Sequence, residues 1–343
     1  MTTTAAESTK TSRASAAPLK DTDCRWTVLA GLRFFFAFIV VAEHTFQMAH
    51  LPGWLKLIRL CDAIAAVVGF LLVSGYSIAH SITENPQGYY LRRLRRIYPL
   101  YLAGLLLAVV PLYLCRPPES TVVYTAVHGS LSPWPYLGTA LFLQGFIVKT
   151  VLTNNVLWTL SLEVFFYIIA PWLVRLSSRV IAAMIACSAA AYLTGIEWHH
   201  VPWIQLWGGN VLFYGWAWLL GFLYYRLQSD RRMIAAIILL PGCLIAFYNV
   251  LPHKLDGYTL LVGMTLLVLG PFVKIGSSGV KKSLNYLGEI SYPLYVVHWP
   301  LLLILADRFP NRSGAYFVAF VVIAAAVAYH LVDVPFRRKF RRA

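Results

Sequence analysis

The chain has 343 residues, of which 59% are apolar and only 13% charged, and it carries a formal net charge of +15. Soluble domains contain about 25% charged residues, so this composition excludes that class and indicates that the bilayer is the solvent. The basic residues stand in short clusters between apolar segments, a pattern typical of membrane topology and not of a nucleic-acid-binding surface. The five cysteines form no CxxC pair or Cys/His pattern, so neither a disulfide framework nor a metal site is predicted.

Residues 1–24 are polar and rich in Ala, Ser and Thr, and we predict a disordered cytosolic tail there. One all-α membrane domain is predicted over 25–338, followed by a basic cytosolic tail at 339–343. Because a spanning helix requires about 20 apolar residues, about ten are predicted. They lie near 26–48, 61–80, 97–115, 156–174, 180–196, 204–225, 233–250, 257–273, 286–306 and 314–336. The apolar but short and Pro-rich stretch 133–148 favours a re-entrant or interfacial helix.

The distribution of basic residues predicts the orientation of this ten-helix frame. With both termini in the cytosol, 22 of the 29 Lys and Arg residues fall on the cytosolic side. This excess agrees with the positive-inside rule. The seven basic residues assigned to the outer side are Lys56, Arg59, Arg116, Lys149, Lys254, Arg308 and Arg312.

The first predicted span contains Arg33 and His44, eleven positions apart. Three helical turns separate them, so both lie on one face, about 16 Å apart along the axis, with Arg33 toward the cytosol. Either could be structural, since an arginine snorkels to lipid phosphates and a lone histidine often donates to a neighbouring helix. Glu43 needs a partner at this depth, which we expect on another helix.

The fourth predicted span carries a polar stripe, with Thr159, Glu163 and Tyr167 on one face and Ser161 nearly opposite. This span descends from the outside, so we expect Glu163 in the outer half of the membrane, at the depth of His44. Such a stripe is compatible with structural hydrogen bonding between helices or with a functional site.

In the ninth predicted span, Ser291, Tyr295 and His298 share one face, and His298 reaches the outer half. A satisfied packing histidine is the structural alternative for His298. Pro293 and Pro300 are expected to kink this helix and to free backbone carbonyls that line a cavity.

Six segments lie along the chain in this order: Arg33 with His44, GFLLVSGYSI (69–78), RRLRRIYPLY (92–101), LWTLSLEVFFY (157–167), LGEISYPLYVVHWP (287–300) and VDVPFRR (332–338). Taken in this order, they resemble the acyltransferase 3 family of membrane O-acyltransferases. The final segment departs from the family pattern, because Asp333 stands where Glu is usual.

The resemblance implies transfer of an acyl group, typically acetyl, from cytosolic acyl-CoA to a hydroxyl. Acyl-CoA is then a donor substrate, and no permanently bound cofactor is expected. Arg93 and Arg96 correspond to the family's RxxR pair, with Arg92 and Arg95 as the alternative register, and suit the phosphates of coenzyme A. Attraction of these arginines to anionic lipid headgroups is the structural alternative.

His44 is the expected general base, and Glu163 is expected to orient it or to hold the acceptor. Arg33 is expected to steer the coenzyme toward His44. The other substrate-binding candidates are Ser74, Ser161, Tyr167 and His298. Ser74 is followed by Gly75, where the backbone could approach a ligand closely.

The expected partners are acyl-CoA, a glycan or lipid-linked saccharide acceptor, and membrane lipids, without nucleic acid. The acceptor remains open among exopolysaccharide, lipopolysaccharide, an oligosaccharide signal and a small metabolite. The expected location is the cell membrane, specifically a bacterial inner membrane. A secondary transporter or flippase is the alternative function, because intramembrane Glu and His residues can also form a proton relay.

Overall fold

The computed structural model describes residues 24–53, 63–195, 206–228 and 275–341. Apart from one isolated bridge between Gln144 and Val148, all regular elements in these ranges are helices. They are α1 (Arg25–Phe46), α2 (Ala63–Glu84), α3 (Tyr89–Leu107), α4 (Val110–Leu114), α5 (Val122–His128), α6 (Trp134–Ala140), a 3₁₀-helix (Leu152–Leu157), α7 (Trp158–Leu173), α8 (Ser178–Gly195), α9 (Gly209–Leu227), α10 (Ser278–Arg308), α11 (Gly314–Ala328), a π-helical turn (Tyr329–Asp333) and α12 (Val334–Arg341).

Within the described ranges, six helical segments are long and apolar enough to cross a membrane. They are Arg25–Phe46, Ala63–Glu84, Tyr89–Leu114, Leu152–Leu173, Ser278–Arg308 and Gly314–Lys339. Helices α8 and α9 coincide with two further predicted spans. The predicted spans 233–250 and 257–273 lie outside the described residues, as do 1–23 of the predicted tail. These helices confirm the prediction of an all-helical, multi-pass membrane protein.

The stretch 133–148 forms no span. Its only helix, α6, has seven residues and so extends about 10 Å. After α6 the backbone turns sharply, with a positive φ of 59° at Phe142 and of 81° at Gly145. The chain therefore returns to the bundle within a few residues, and this short excursion precedes the 3₁₀-helix that leads into α7.

Two close pairings organise the bundle, α1 against α10 and α2 against α9. At the second pairing the backbones touch: a Cβ placed on Gly75 would lie 1.9 Å from the carbonyl oxygen of Trp218, and one on Gly221 would lie 2.0 Å from that of Leu72. Small residues permit such an approach between membrane helices. The expectation that Gly75 lets a ligand approach the backbone is wrong, because α9 occupies that space.

Helix α10 continues through both of its prolines. Pro300 has no N–H to donate to the carbonyl of Val296, four residues earlier. The side-chain amide of Asn154 donates to that carbonyl instead, at 3.0 Å, and to the carbonyl of Gly104, also at 3.0 Å. The expectation that the carbonyl freed by Pro300 lines a cavity is therefore wrong, since Asn154 uses it to join three segments of the bundle.

Candidate active site

A cavity of about 490 Å³ opens among the described helices at one end of the bundle. Its walls come from α1, α2, α3, α7, α10 and α12. Five arginines line it against three glutamates, so positive charge is in excess. The charged residues are Arg33, Arg92, Arg93, Arg96, Arg337, Glu84, Glu163 and Glu289.

The wall from α3 distinguishes the two registers of the arginine cluster. Arg92, Arg93 and Arg96 occupy one helical face and line the cavity, whereas Arg95 is not among the lining residues. The guanidinium of Arg92 donates to backbone carbonyls of the preceding loop. Arg93 and Arg96 are thus the RxxR pair that faces the cavity, while Arg92 also ties down the start of α3.

Arg93 has spare hydrogen-bonding capacity inside this wall. Its guanidinium lies 5.8 Å from the centre of the Tyr89 ring. Its Nε is buried and has no hydrogen-bond partner among the described residues. Since a buried, unpaired donor costs about 1–3 kcal/mol, an anionic group entering the cavity would gain by meeting it.

Arg33 extends the positive wall deeper into the bundle, where its Nη2 donates to Ser77 Oγ at 2.7 Å. Glu163 lines the same cavity, close enough for its charge to act on Arg33. Glu163 therefore shares the cavity with Arg33, whereas His44, with which the sequence pattern grouped it, does not line that cavity. Helix α7 packs on α2 and α3, and this packing brings Glu163 into the cavity wall.

Tyr167 and Ser74 also line the cavity, and their hydroxyl oxygens are 3.4 Å apart. Toward the other end of the bundle, the Tyr295 hydroxyl lies 2.8 Å from Thr159 Oγ1. Both of those residues belong to the cavity wall. The three predicted positions of the α7 stripe, Thr159, Glu163 and Tyr167, thus face the cavity together.

Beyond Tyr295 lies a pair of histidines. His44 Nδ1 is 3.0 Å from His298 Nε2, and the two ring planes are inclined by only 13°. His298 is 0% exposed, whereas His44 is partly exposed. Neither lines the cavity, but the Tyr295 ring, which does, has its centre 5.8 Å from that of His298. One aromatic side chain therefore separates the arginine-lined cavity from the histidine pair.

Comparison with known proteins identifies the bundle. The model of the acyltransferase 3 family, described as an acyltransferase domain, matches residues 27–332. The chain belongs to the acyltransferase 3 family. A protein of Acidianus two-tailed virus named "Putative acetyltransferase ORF330" is 26% identical to it over 339 residues, which cover 91% of this chain and 90% of that protein. No solved structure matches the chain. It is thus a membrane acyltransferase.

Two residues of this acyltransferase, Ser161 and Glu43, do not make the contacts that the sequence predicts for them. The Ser161 hydroxyl donates to the carbonyl of Trp158 in its own helix, at 2.7 Å, and the residue does not line the cavity. Glu43 was expected to bond to another helix. Among the described residues, no hydrogen bond or ion pair of Glu43 is present.

A charged cluster at the cavity wall of this acyltransferase went unnoticed in the sequence. Arg337 donates to Asp333 Oδ1 at 2.9 Å and pairs with Glu289 as well. Asp333 is buried, at the end of the π-helical turn. The i, i+4 spacing of Asp333 and Arg337 could have suggested their contact. Their pairing with Glu289 depends on the packing of α12 beside α10 and could not be read from spacing.

Proposed function

We propose that this protein is an O-acyltransferase that moves an acyl group, in the simplest case acetyl, from cytosolic acyl-CoA to a hydroxyl of a glycan or lipid-linked saccharide. The observation that carries the proposal is the arginine-lined cavity, in which the buried Nε of Arg93 meets no partner from the residues that the structure describes. Coenzyme A is rich in phosphate, and arginine forks bind phosphate by paired, charge-assisted hydrogen bonds. The relative named as an acetyltransferase supports acetyl as the group transferred.

We further propose that ten spans cross a bacterial inner membrane and that both termini lie in the cytosol. The cavity supports this orientation. Four chain segments meet at the cavity: the end of α2, the start of α3, the first half of α10 and the segment after α11. They contribute Glu84, Arg93, Glu289 and Arg337, respectively. The charge rule assigns all four of those ends to the cytosolic side. A donor from the cytosol would therefore reach the arginines without crossing the membrane.

In the proposed reaction, His44 acts as general base. Its imidazole takes the proton of the acceptor hydroxyl while the hydroxyl oxygen attacks the carbonyl carbon of the thioester. The carbon–sulfur bond then breaks, and the coenzyme thiolate leaves with the proton returned by the imidazolium. The products are an O-acyl ester and free coenzyme A.

The cavity residues have supporting parts in this scheme. Arg93 and Arg96 hold phosphate, and Arg33 guides the rest of the donor toward Tyr295, beyond which the histidines lie. Glu163 balances the charge of Arg33, because both line the cavity and the charge of Glu163 acts on Arg33. Ser74 and Tyr167, whose hydroxyls face each other in the cavity, offer hydrogen bonds to the bound donor.

The decisive experiment follows the acyl label. Purified protein in lipid nanodiscs receives acetyl-CoA labelled in the acetyl group, with and without an oligosaccharide acceptor, and free coenzyme A and labelled ester are measured. We expect Arg93→Gln to raise KM for acetyl-CoA at least about tenfold, since a hydrogen bond to a charged group contributes about 1.5–3 kcal/mol.

Arg95→Gln is the matched control, because it removes a neighbouring positive charge outside the cavity, and its KM should stay close to wild type. Acetyl-CoA left intact under every acceptor condition would reject the enzyme. That outcome would favour the secondary transporter or flippase. Equal KM values for the two variants would reject the cavity as the donor site.

A further inference from the structure

The hydrogen-bonding groups around the two histidines determine which ring nitrogen donates and which accepts in the contact between them. We infer that His298 is a positioning residue that holds His44 in the tautomer with a bare Nε2, making Nε2 the basic atom of the site. The inference rests on the proposed function of His44 as general base.

The direction starts from the backbone of α10. His298 Nδ1 lies 2.8 Å from the carbonyl oxygen of Tyr295 and 3.1 Å from that of Leu294. A carbonyl oxygen has no hydrogen to donate, so Nδ1 must carry the proton. A neutral imidazole has one N–H only, and complete burial of His298 favours the neutral ring. His298 Nε2 is therefore a bare acceptor.

The same reasoning applies to the ring of His44. His298 Nε2 lies 3.0 Å from His44 Nδ1, and the ring centres are 5.2 Å apart, so the two nitrogens lie between the rings and point at each other. Because His298 Nε2 accepts, His44 Nδ1 donates. In neutral His44 the lone pair then belongs to Nε2, which has no partner among the described residues and is not one of their buried unsatisfied atoms. The free nitrogen remains accessible to a hydroxyl.

The surrounding residues hold both rings in this relation. The Trp299 ring stands nearly perpendicular to His44, with centres 4.8 Å apart, and its Nε1 donates to the carbonyl of Leu152 at 2.8 Å. If the His298 ring flipped, its N–H would lose both backbone carbonyl acceptors, and buried polar groups would be left unpaired. Each unpaired group costs about 1–3 kcal/mol. The backbone of α10 thus fixes the tautomer of His298, and the hydrogen bond between the two rings fixes the tautomer of His44 on α1.

During the transfer step this arrangement directs each proton. The acceptor hydroxyl gives its proton to Nε2 of His44, and the resulting imidazolium still donates through Nδ1 to His298. The proton on Nε2 then leaves with the coenzyme thiolate, which restores the starting tautomer. His298 gains and loses no proton, so its part is orientation and it does not touch the substrate.

The test replaces His298 by Gln and by Leu. Glutamine extends an amide oxygen that can accept from His44 Nδ1, whereas leucine fills the space without an acceptor. We expect His298→Leu to lower kcat at least about 100-fold with little change in KM for acetyl-CoA, while His298→Gln recovers kcat to within about tenfold of wild type.

A second readout does not depend on turnover. Nitrogen-15 NMR of imidazole-labelled protein reports which nitrogen carries the proton, and the His44 signals are assigned by their loss in His44→Ala. We expect the proton on Nδ1 in wild type and in His298→Gln, and redistribution to Nε2 in His298→Leu. Ser188→Ala serves as a packing control, since it removes two hydrogen bonds between α8 and α9 and should leave the His44 tautomer unchanged.

The outcomes separate this inference from the proposed function. A wild type that transfers acetyl, together with a His298→Leu variant of unchanged kcat or unchanged tautomer, would overturn the inference alone. A wild type with Nδ1–H on His44 that never consumes acyl-CoA would overturn the proposed function and leave the hydrogen-bond direction intact. A proton on His44 Nε2 in wild type would overturn the inference whatever the activity.

Discussion

The two polar regions of this bundle differ in how their hydrogen-bonding groups are satisfied. In the arginine-lined cavity, Arg93 keeps a buried donor that has no partner among the described residues, and positive charge is in excess. In the inferred arrangement of the histidine pair, each protonated nitrogen has an acceptor, and Nε2 of His44 is the one ring nitrogen without a partner in the described part of the chain. Unmet polarity suits a site that receives an anionic substrate, and satisfied polarity suits a group that must keep one orientation.

The comparison separates binding from chemistry, so mutations in the two regions should change different kinetic constants. A side chain that contributes binding alone alters KM, and one that acts in the transition state alters kcat.

The largest effect is expected at His44. His44→Ala removes the general base and should lower kcat about 10²- to 10⁴-fold, with KM for acetyl-CoA nearly unchanged, because the cavity is intact. Steady-state release of free coenzyme A measures both constants. A variant with wild-type turnover would end the assignment of His44 as the base. A rise in KM with unchanged kcat would place His44 among the donor-binding residues instead.

An intermediate effect is expected at Arg33. Arg33→Gln keeps donors that can reach Ser77 but removes the charge, so KM for acetyl-CoA should rise about tenfold while kcat changes less. Lys282→Gln is the control, since it removes an exposed charge near the start of α10 that does not line the cavity. If both variants shifted KM equally, overall positive potential would explain donor binding better than the cavity does.

The smallest effect is expected at Ser161. Its hydroxyl bonds within its own helix and lies off the cavity, so Ser161→Ala should leave kcat and KM within about twofold of wild type. The paired variant Ser74→Ala, which loses a hydroxyl facing Tyr167 inside the cavity, should raise KM more. A larger effect at Ser161 than at Ser74 would contradict the cavity boundaries.

Much of the architecture could be predicted because the bilayer imposes its own length scale. Apolar segments near 26–48, 61–80 and 314–336 had to become helices, since backbone groups in lipid are satisfied within one segment. Helical periodicity likewise separated Ser161 from the stripe of Thr159, Glu163 and Tyr167, and the cavity follows that division.

Depth and partnership were less predictable. The sequence pattern predicts a similar depth for Glu163 and His44, because both fall in the outer halves of their predicted spans. The packing of α7 on α2 and α3 brings Glu163 into the cavity that Arg33 lines. Likewise, Gly75 carries no signal that distinguishes a ligand from a neighbouring helix, and only the approach of α9 decides between them.

The sequence alone determined the all-helical membrane class, the family, the arginine register up to one alternative, and the polar residues available for chemistry. The membrane class and the buried polar residues follow from composition and periodicity, whereas the family and the arginine register follow from the resemblance of the motifs. The tertiary structure decided that Arg93 and Arg96 face the cavity, that Glu163 joins Arg33, and that His298 meets His44 across 254 positions of chain. Such contacts depend on how whole helices pack, and no local pattern encodes the distance between two helices.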